Sequence, residues 1–227
     1  MTAPARGNGL RKPRGVVFDM DGLLLDSERL ARDTFFVSCR LHGFEPDPAV
    51  YLRCIGTRGD RTRDILIEGY GASFPLDAVM TEWATRYDGH VLHKPVAPKP
   101  GARSLLDRLA ALGLPLALAT STRTDIALRK LTLAGFVDFF AHVIGGDQVQ
   151  HPKPHPEPYR EAARRLGLSV GDCWALEDSE NGVRSAHAAG LFVVQVPDLV
   201  APTEDLKALG HRIVTTLSDV EQLLRFG

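Results

Sequence analysis

Apolar and polar positions along this chain follow two alternating rhythms. Short, nearly unbroken apolar runs cover Gly15 to Asp19, Pro115 to Ala119, His142 to Gly145, Cys173 to Leu176 and Leu191 to Val196. Between most of them, apolar residues recur at helical spacing. Leu105, Leu109 and Leu112 form one stripe; Ala127, Leu131 and Ala134 form another before Gly135. Tyr159, Ala162, Ala163 and Leu166 precede Gly167, and Val183, Ala186 and Ala189 precede Gly190. A continuous apolar run suits a strand buried on both faces, a three–four spacing suits a helix lying on it, and glycine often ends that helix. The alternation predicts an α/β fold, a doubly wound, Rossmann-like parallel sheet.

From Ser27 to Val96 the rhythm changes and no strand is evident. Leu30, Thr34, Val37 and Leu41 share a helical face ended by Gly43, and Leu76, Met80, Trp83, Tyr87 and Val91 share another. Asp47 and Pro48 stand where an N-cap and a first helical residue belong. About seventy helical residues are too many for an ordinary crossover. They predict an all-helical insertion over 27–96, with the Pro-rich His93 to Gly101 as its return hinge and 14–26 plus 97–227 as the core. Residues 1–13, basic and rich in Pro and Gly, are expected to form a flexible tail with no apolar region of a secretory signal.

The composition of the 227 residues narrows the function classes. The hydrophobic content is 44% and the net charge is −1, so no global charge points to nucleic acid or to a membrane surface. No apolar run reaches the length of a membrane span. Cys39, Cys54 and Cys173 are scattered without a CxxC and read as reduced structural thiols of a cytoplasmic protein. The pattern does not fix an oligomeric state, and a monomer satisfies it.

The candidate chemistry lies where strands end. Asp19 and Asp21 follow the first strand on the same side, and Gly22 permits a sharp turn. Two adjacent carboxylates repel unless a divalent cation bridges them or one holds a proton. The second strand runs into Thr120, Ser121, Thr122 and Arg123, a set of hydroxyl, N–H and guanidinium donors suited to an oxyanion. Lys153 sits between two prolines that restrict its backbone and can aim it inward. Glu177 and Asp178 close the fourth strand. Each set alone has an ordinary reading as a solvated turn, an N-cap or a surface charge. Together, at successive ends of an apolar sheet, they suit Mg²⁺ and a phosphoryl group. No His/Cys set has zinc spacing.

The segments "FDMDG", "ALATS", "KPHPEPY" and "LEDSENG", in this order, resemble the four motifs of the haloacid dehalogenase superfamily. The helical insertion resembles the cap of its β-phosphoglucomutase-like branch, and the small-metabolite phosphatases there are especially similar. The resemblance implies an aspartyl-phosphate mechanism. Asp19 would be the nucleophile, and Asp21 would protonate the leaving alcohol and then activate water. Asp19, the Asp21 carbonyl and Asp178, assisted by Glu177, would hold Mg²⁺. Thr120 and the Ser121 N–H, near Gly22 and Arg123, would bind phosphoryl oxygens, and Lys153 would offset their charge. Glu28 and Arg58, with Arg61 and Arg63 as further candidates, would contact the substrate from the cap. The implied activity is hydrolysis of a small phosphorylated metabolite, a sugar or nucleoside-like phosphate.

A mutase of the same branch is the alternative, but its cap begins with a histidine-bearing segment where this chain reads "DSERL". Asp21 argues against a dehalogenase. The absence of lysine between Glu28 and His93 argues against a phosphonatase. A receiver-like signalling module would place its acidic pair and its phosphorylated aspartate on different strands. A DxD glycosyltransferase would not need Thr120, Lys153 and Asp178.

Overall fold

The computed structural model describes residues 12–55, 57 and 59–226. Residues 1–11 of the expected tail, and Arg58, lie outside the described residues. Six strands, β1 (Gly15–Phe18), β2 (Leu116–Ala119), β3 (His142–Ile144), β4 (Cys173–Glu177), β5 (Phe192–Gln195) and β6 (Arg212–Ile213), form one parallel sheet in the order β3-β2-β1-β4-β5-β6. The five expected strands are all present. Two-residue β6 is too short for periodicity to announce.

Strand alternation sorts side chains onto two covered faces. Val16 and Phe18 of β1 join Leu116, Leu118, Trp174 and Leu176 beneath α5 (Ala102–Ala111), α6 (Thr124–Ala134) and α10 (Leu217–Phe226). Val17, Ala117, Ala119 and Ala175 face α7 (Glu157–Arg165), α8 (Glu180–Ala189) and α9 (Glu204–Lys207). Small alanines on this second face let Tyr159, Ala162 and Val183 approach the sheet closely.

Before α5, four helices follow β1 in sequence: α1 (Ser27–Leu41), α2 (Pro48–Cys54), α3 (Gly59–Tyr70) and α4 (Leu76–Val91). They gather Phe35, Cys39, Tyr51, Leu66, Phe74 and Val79 into a cluster of their own. Asp47 caps α2 as expected, accepting from the N–H of Ala49 at 2.8 Å. The chain leaves and returns through a narrow pair of crossings: Asp26 N–H donates to Ala97 O at 2.8 Å and Lys99 N–H to Leu24 O at 2.9 Å.

Two expected stripes are corrected. In α1 the buried residues are Ser27, Phe35, Ser38 and Cys39, while Val37 and Leu41 are exposed. Phe35 wins because its ring meets Tyr51 and Trp83, so more apolar area leaves water on that side. Leu112 lies beyond the end of α5 and is exposed; Leu106 takes its place beside Leu105 and Leu109.

Candidate active site

Parallel strands present their carboxyl ends on one edge, and ligands of such sheets collect where the strand order reverses. That point lies between β1 and β4, where Phe18 pairs with Leu176. Asp19 and Glu177, one residue further along each strand, are therefore neighbours. The Asp19 N–H continues the ladder to Leu176 O at 3.0 Å, which leaves its side chain little freedom of origin.

Lys153 reaches this pair from the loop after β3. Its Nζ donates to Asp19 Oδ1 and to Glu177 Oε1, each at 2.6 Å. The loop holds prolines at 152, 154 and 156, with Pro158 in the first turn of α7, and its backbone is pinned by the Ser185 hydroxyl donating to His155 O. Lys153 is thus buried, as its flanking prolines imply. His151, His155 and Glu157 come together in the exposed part of this loop, a grouping that sequence spacing did not reveal. Glu157 serves the loop there, accepting from the N–H groups of Gln150 and His151 at 2.8 and 3.0 Å.

Glu177 is fully buried. Besides Lys153, its Oε1 accepts from Tyr159 Oη at 2.7 Å, and its Oε2 accepts from the N–H groups of Asp178 and Ser179 and from Ser179 Oγ. Asp178 brings the third carboxylate: oxygens of Asp19, Glu177 and Asp178 all lie within 4.8 Å of one another. Its Oδ1 is buried without a hydrogen-bond partner. Gly22, at φ +84°, makes room, since a Cβ there would stand 2.3 Å from Asp178 Oδ2.

Three carboxylates share one ammonium, and the titrations reflect it. Burial pushes Asp19 up to about 8; Lys153 pulls the other way, and Glu177 and Asp21 add to the rise. Burial, then the charges of Glu177 and Asp19, hold Asp178 well above the usual carboxylate range. Lys153 is held charged, since Asp19 and Glu177 outweigh the effect of its burial. An all-oxygen set with surplus negative charge and an orphaned buried oxygen fits a hard divalent cation such as Mg²⁺.

Asp21 has a different environment. Its Oδ1 accepts from Ser27 Oγ at 2.6 Å and from Lys130 Nζ, and its Oδ2 accepts from Thr122 Oγ1 at 2.7 Å. Burial raises its titration, but the charge and hydrogen bond of Lys130, with Ser27 and Thr122, leave it below the ordinary value. Thr120 is buried, and its Oγ1 accepts from the Thr122 N–H at 3.1 Å, which shapes the loop containing exposed Ser121. Glu28 lies beside Gly22 and is raised to about 7 by burial and the charges of Asp21 and Asp198. It lines a cavity of about 210 Å³ with Ile55, Asp178, Asn181, Asp198 and Leu199.

Some expected contacts are placed elsewhere. Arg123 is exposed and forks onto Asp125, at 3.1 and 2.5 Å, because the nearest carboxylate on its own helix is an easier partner than the buried edge. Arg61 pairs with Glu68 within α3, and Arg63 pairs with Asp77 at the start of α4. Lys130, Tyr159 and Ser27 join the network without having been singled out for it, and Thr122, expected among the oxyanion donors, serves Asp21. Lys130 did leave a signal: it sits three residues after Ala127 and one before Leu131, on an otherwise apolar stripe.

Acidic groups, a buried lysine and hydroxyl donors at the carboxyl edge of a doubly wound sheet define an α/β enzyme of the hydrolase kind. The chain belongs to the haloacid dehalogenase-like hydrolases, whose family pattern matches residues 16–196, and it is a phosphoric monoester hydrolase. It is 33% identical over 195 residues to a probable pseudouridine-5′-phosphatase of Drosophila melanogaster, covering 83% of this chain and 84% of that one. It is 29% identical over 209 residues to a phosphorylated carbohydrates phosphatase of Thermotoga maritima, covering 92% and 95%. The solved structure of a HAD family hydrolase from Deinococcus radiodurans, with bound phosphate and sodium, superposes with a TM-score of 0.82 at 26% identity over 94% of this chain and 95% of that one. Among the described residues, no helix is long and apolar enough to cross a membrane.

Proposed function

We propose that the protein is an Mg²⁺-dependent phosphatase of a small sugar or nucleoside-like phosphate, working through an aspartyl-phosphate on Asp19. The observation that carries this reading is the buried Lys153 ammonium 2.6 Å from Asp19 Oδ1, in a carboxylate cluster with one oxygen left unpaired. In the first half-reaction an oxygen of ionised Asp19, the form that Lys153 and a bound cation would favour, bonds to phosphorus as the ester P–O bond breaks, and the leaving alcohol takes a proton from Asp21. The approaching phosphate dianion favours the acid form of Asp21, which is ionised in the arrangement described. In the second half-reaction water loses a proton to Asp21 and attacks phosphorus, restoring Asp19 and releasing inorganic phosphate.

Lys153, Thr120 and the loop N–H of Ser121 face charge that develops on the phosphoryl oxygens, and Gly22 keeps the approach open. Asp19, the carbonyl of Asp21 and Asp178, with Glu177 in support, would hold Mg²⁺, which when bound supplies positive charge to those oxygens. Residues 27–96 serve as a cap on the core of 14–26 and 97–227, with Glu28 at the junction. Arg58 is retained only as an expectation, since it lies outside the described residues. The cavity at Glu28, Asn181 and Asp198 offers hydrogen-bond acceptors that suit the hydroxyl groups of a sugar. Three buried free thiols suit a cytoplasmic setting.

The test is acid quenching during turnover with Mg²⁺, followed by mass spectrometry of the peptide containing Asp19. A phosphoryl adduct there, missing from Asp19→Asn, is expected. Turnover at near wild-type rate by Asp19→Asn overturns the assignment.

A further inference from the structure

Lys130 is buried almost as deeply as Glu177, yet it belongs to none of the family motifs quoted above. It lies on the inward face of α6, between Ala127 and Leu131, where an apolar residue would pack without any charge to satisfy. Burying an ammonium is costly unless it is paired, and such a pair is often no more stabilising than well-packed apolar groups. Stability alone therefore gives little reason for a lysine here. Its partners supply one. The Nζ donates to Asp21 Oδ1 and to Tyr87 Oη, the latter at 3.0 Å, and lies 5.5 Å from the Tyr87 ring centre.

The elements involved matter. Asp21 follows β1, Lys130 belongs to the core helix α6, and Tyr87 belongs to α4, the last helix before the chain returns to the core. The remaining donors to Asp21 are Ser27, the first residue of α1, and Thr122, in the loop after β2. The Asp21 carboxylate is thus held by groups from both sides of the junction between core and insertion. Lys130 hydrogen-bonds to Asp21 and to α4 at once. Moving α4 would break the bond to Tyr87 and change what else the ammonium must satisfy.

We propose that Lys130 is a positioning residue for ester cleavage: it sets the orientation of the Asp21 carboxylate and, through Tyr87, couples that orientation to the position of α4. The inference rests on the reading of Asp21 as the group that serves the leaving oxygen. It assigns Lys130 no contact with the substrate.

Leaving-group dependence tests it. A nitrophenolate departs without a proton, whereas an alkoxide needs one, so misplacing Asp21 slows alkyl phosphates selectively. Lys130→Met, Tyr87→Phe and Asp21→Asn are assayed on p-nitrophenyl phosphate and on a sugar phosphate. Lys130→Met is expected to lower kcat/KM, which covers the steps through leaving-group departure and not the water step both esters share, about 10²-fold or more for the sugar phosphate, with less than about a tenfold loss on the aryl ester. Tyr87→Phe is expected to show the same bias, smaller in size. Equal losses on both esters for Lys130→Met indicate a merely structural lysine and overturn the inference. Should Lys130→Met not fold, Tyr87→Phe decides: the absence of bias in that variant overturns the coupling. Asp21→Asn separates the two levels. If it shows no bias, the reading of Asp21 itself fails; if it shows bias and Lys130→Met does not, only the role of Lys130 fails.

Discussion

Lys153 Nζ stands 2.6 Å from Oε1 of Glu177, the same distance that separates it from the candidate nucleophile Asp19. Glu177 is thus a bracket for the lysine as much as a member of the acidic cluster. Among the described residues, its carboxylate accepts hydrogen bonds from Lys153, Tyr159, the N–H groups of Asp178 and Ser179, and Ser179 Oγ. Removing the lysine leaves buried Asp19 and Glu177, and half-buried Asp178, without a cation. Lys153→Met is expected to cost about 3–5 kcal/mol of stability, the range for breaking a buried pair by deleting one partner. Urea denaturation in EDTA and again in Mg²⁺ checks this, with part of the loss recovered when Mg²⁺ is present. An unaltered midpoint would remove the electrostatic account of the cluster.

The tightest steric demand around Glu177 comes from Gly182. A Cβ at that position would lie 1.7 Å from Glu177 Oε1 and 2.2 Å from Oε2. Gly182→Ala is expected to displace the carboxylate and destabilise the fold by about 3 kcal/mol or more. Gly167 is the control: it ends α7 at φ +69° with nothing within 4 Å of its would-be Cβ. Gly167→Ala there meets only the left-handed backbone penalty, about 1 kcal/mol. Equal melting temperatures for the two variants would contradict the packing described.

Asp19 links stability to pH. Its folded value of about 8 lies far above its ordinary 3.8. A raised folded value means that the folded state keeps a proton that the unfolded chain releases. The contribution is fully present below about pH 4 and is lost as pH rises through about 8. In EDTA, Asp19→Asn is therefore expected to gain on the wild type as pH increases from about 5 to about 8. Thermal scans of both proteins across that window measure the gap. A gap that stays constant with pH would refute the raised titration.

Asp178 carries the unpaired oxygen and should govern metal use. Asp178→Asn removes a buried acid that burial and its neighbours already disfavour as an anion. The variant is expected to be at least as stable as the wild type in EDTA. It should need at least about tenfold more Mg²⁺ for half-maximal phosphate release. A Mg²⁺ titration of activity, alongside melting curves, reads both effects. An unchanged Mg²⁺ requirement would exclude Asp178 from the metal site.

Much of the site was legible before any coordinates, because its elements are local. Asp19, Thr120 and Glu177 each follow or end an apolar run, Lys153 lies in the loop after another, and a parallel sheet brings such ends to one edge whatever the details of packing. The inward turn of Lys153 was readable from its flanking prolines. Less was legible in the insertion, where apolar residues lie on more than one face of α1 and only the partner helices choose between them. There Phe35 and Cys39 are buried and Val37 is not.

Sequence alone determined the order of strands and helices, the long helical interruption and the set of groups available for chemistry. These follow from periodicity and from residue type, which act over a few neighbouring positions. Tertiary structure decided the pairings. It paired Arg123 with Asp125, joined Tyr159 to Glu177, and placed Lys130 between Asp21 and Tyr87, 109 residues beyond one and 43 beyond the other. A buried charge takes whichever partner the packed fold leaves within reach, and that distance is a property of the whole chain.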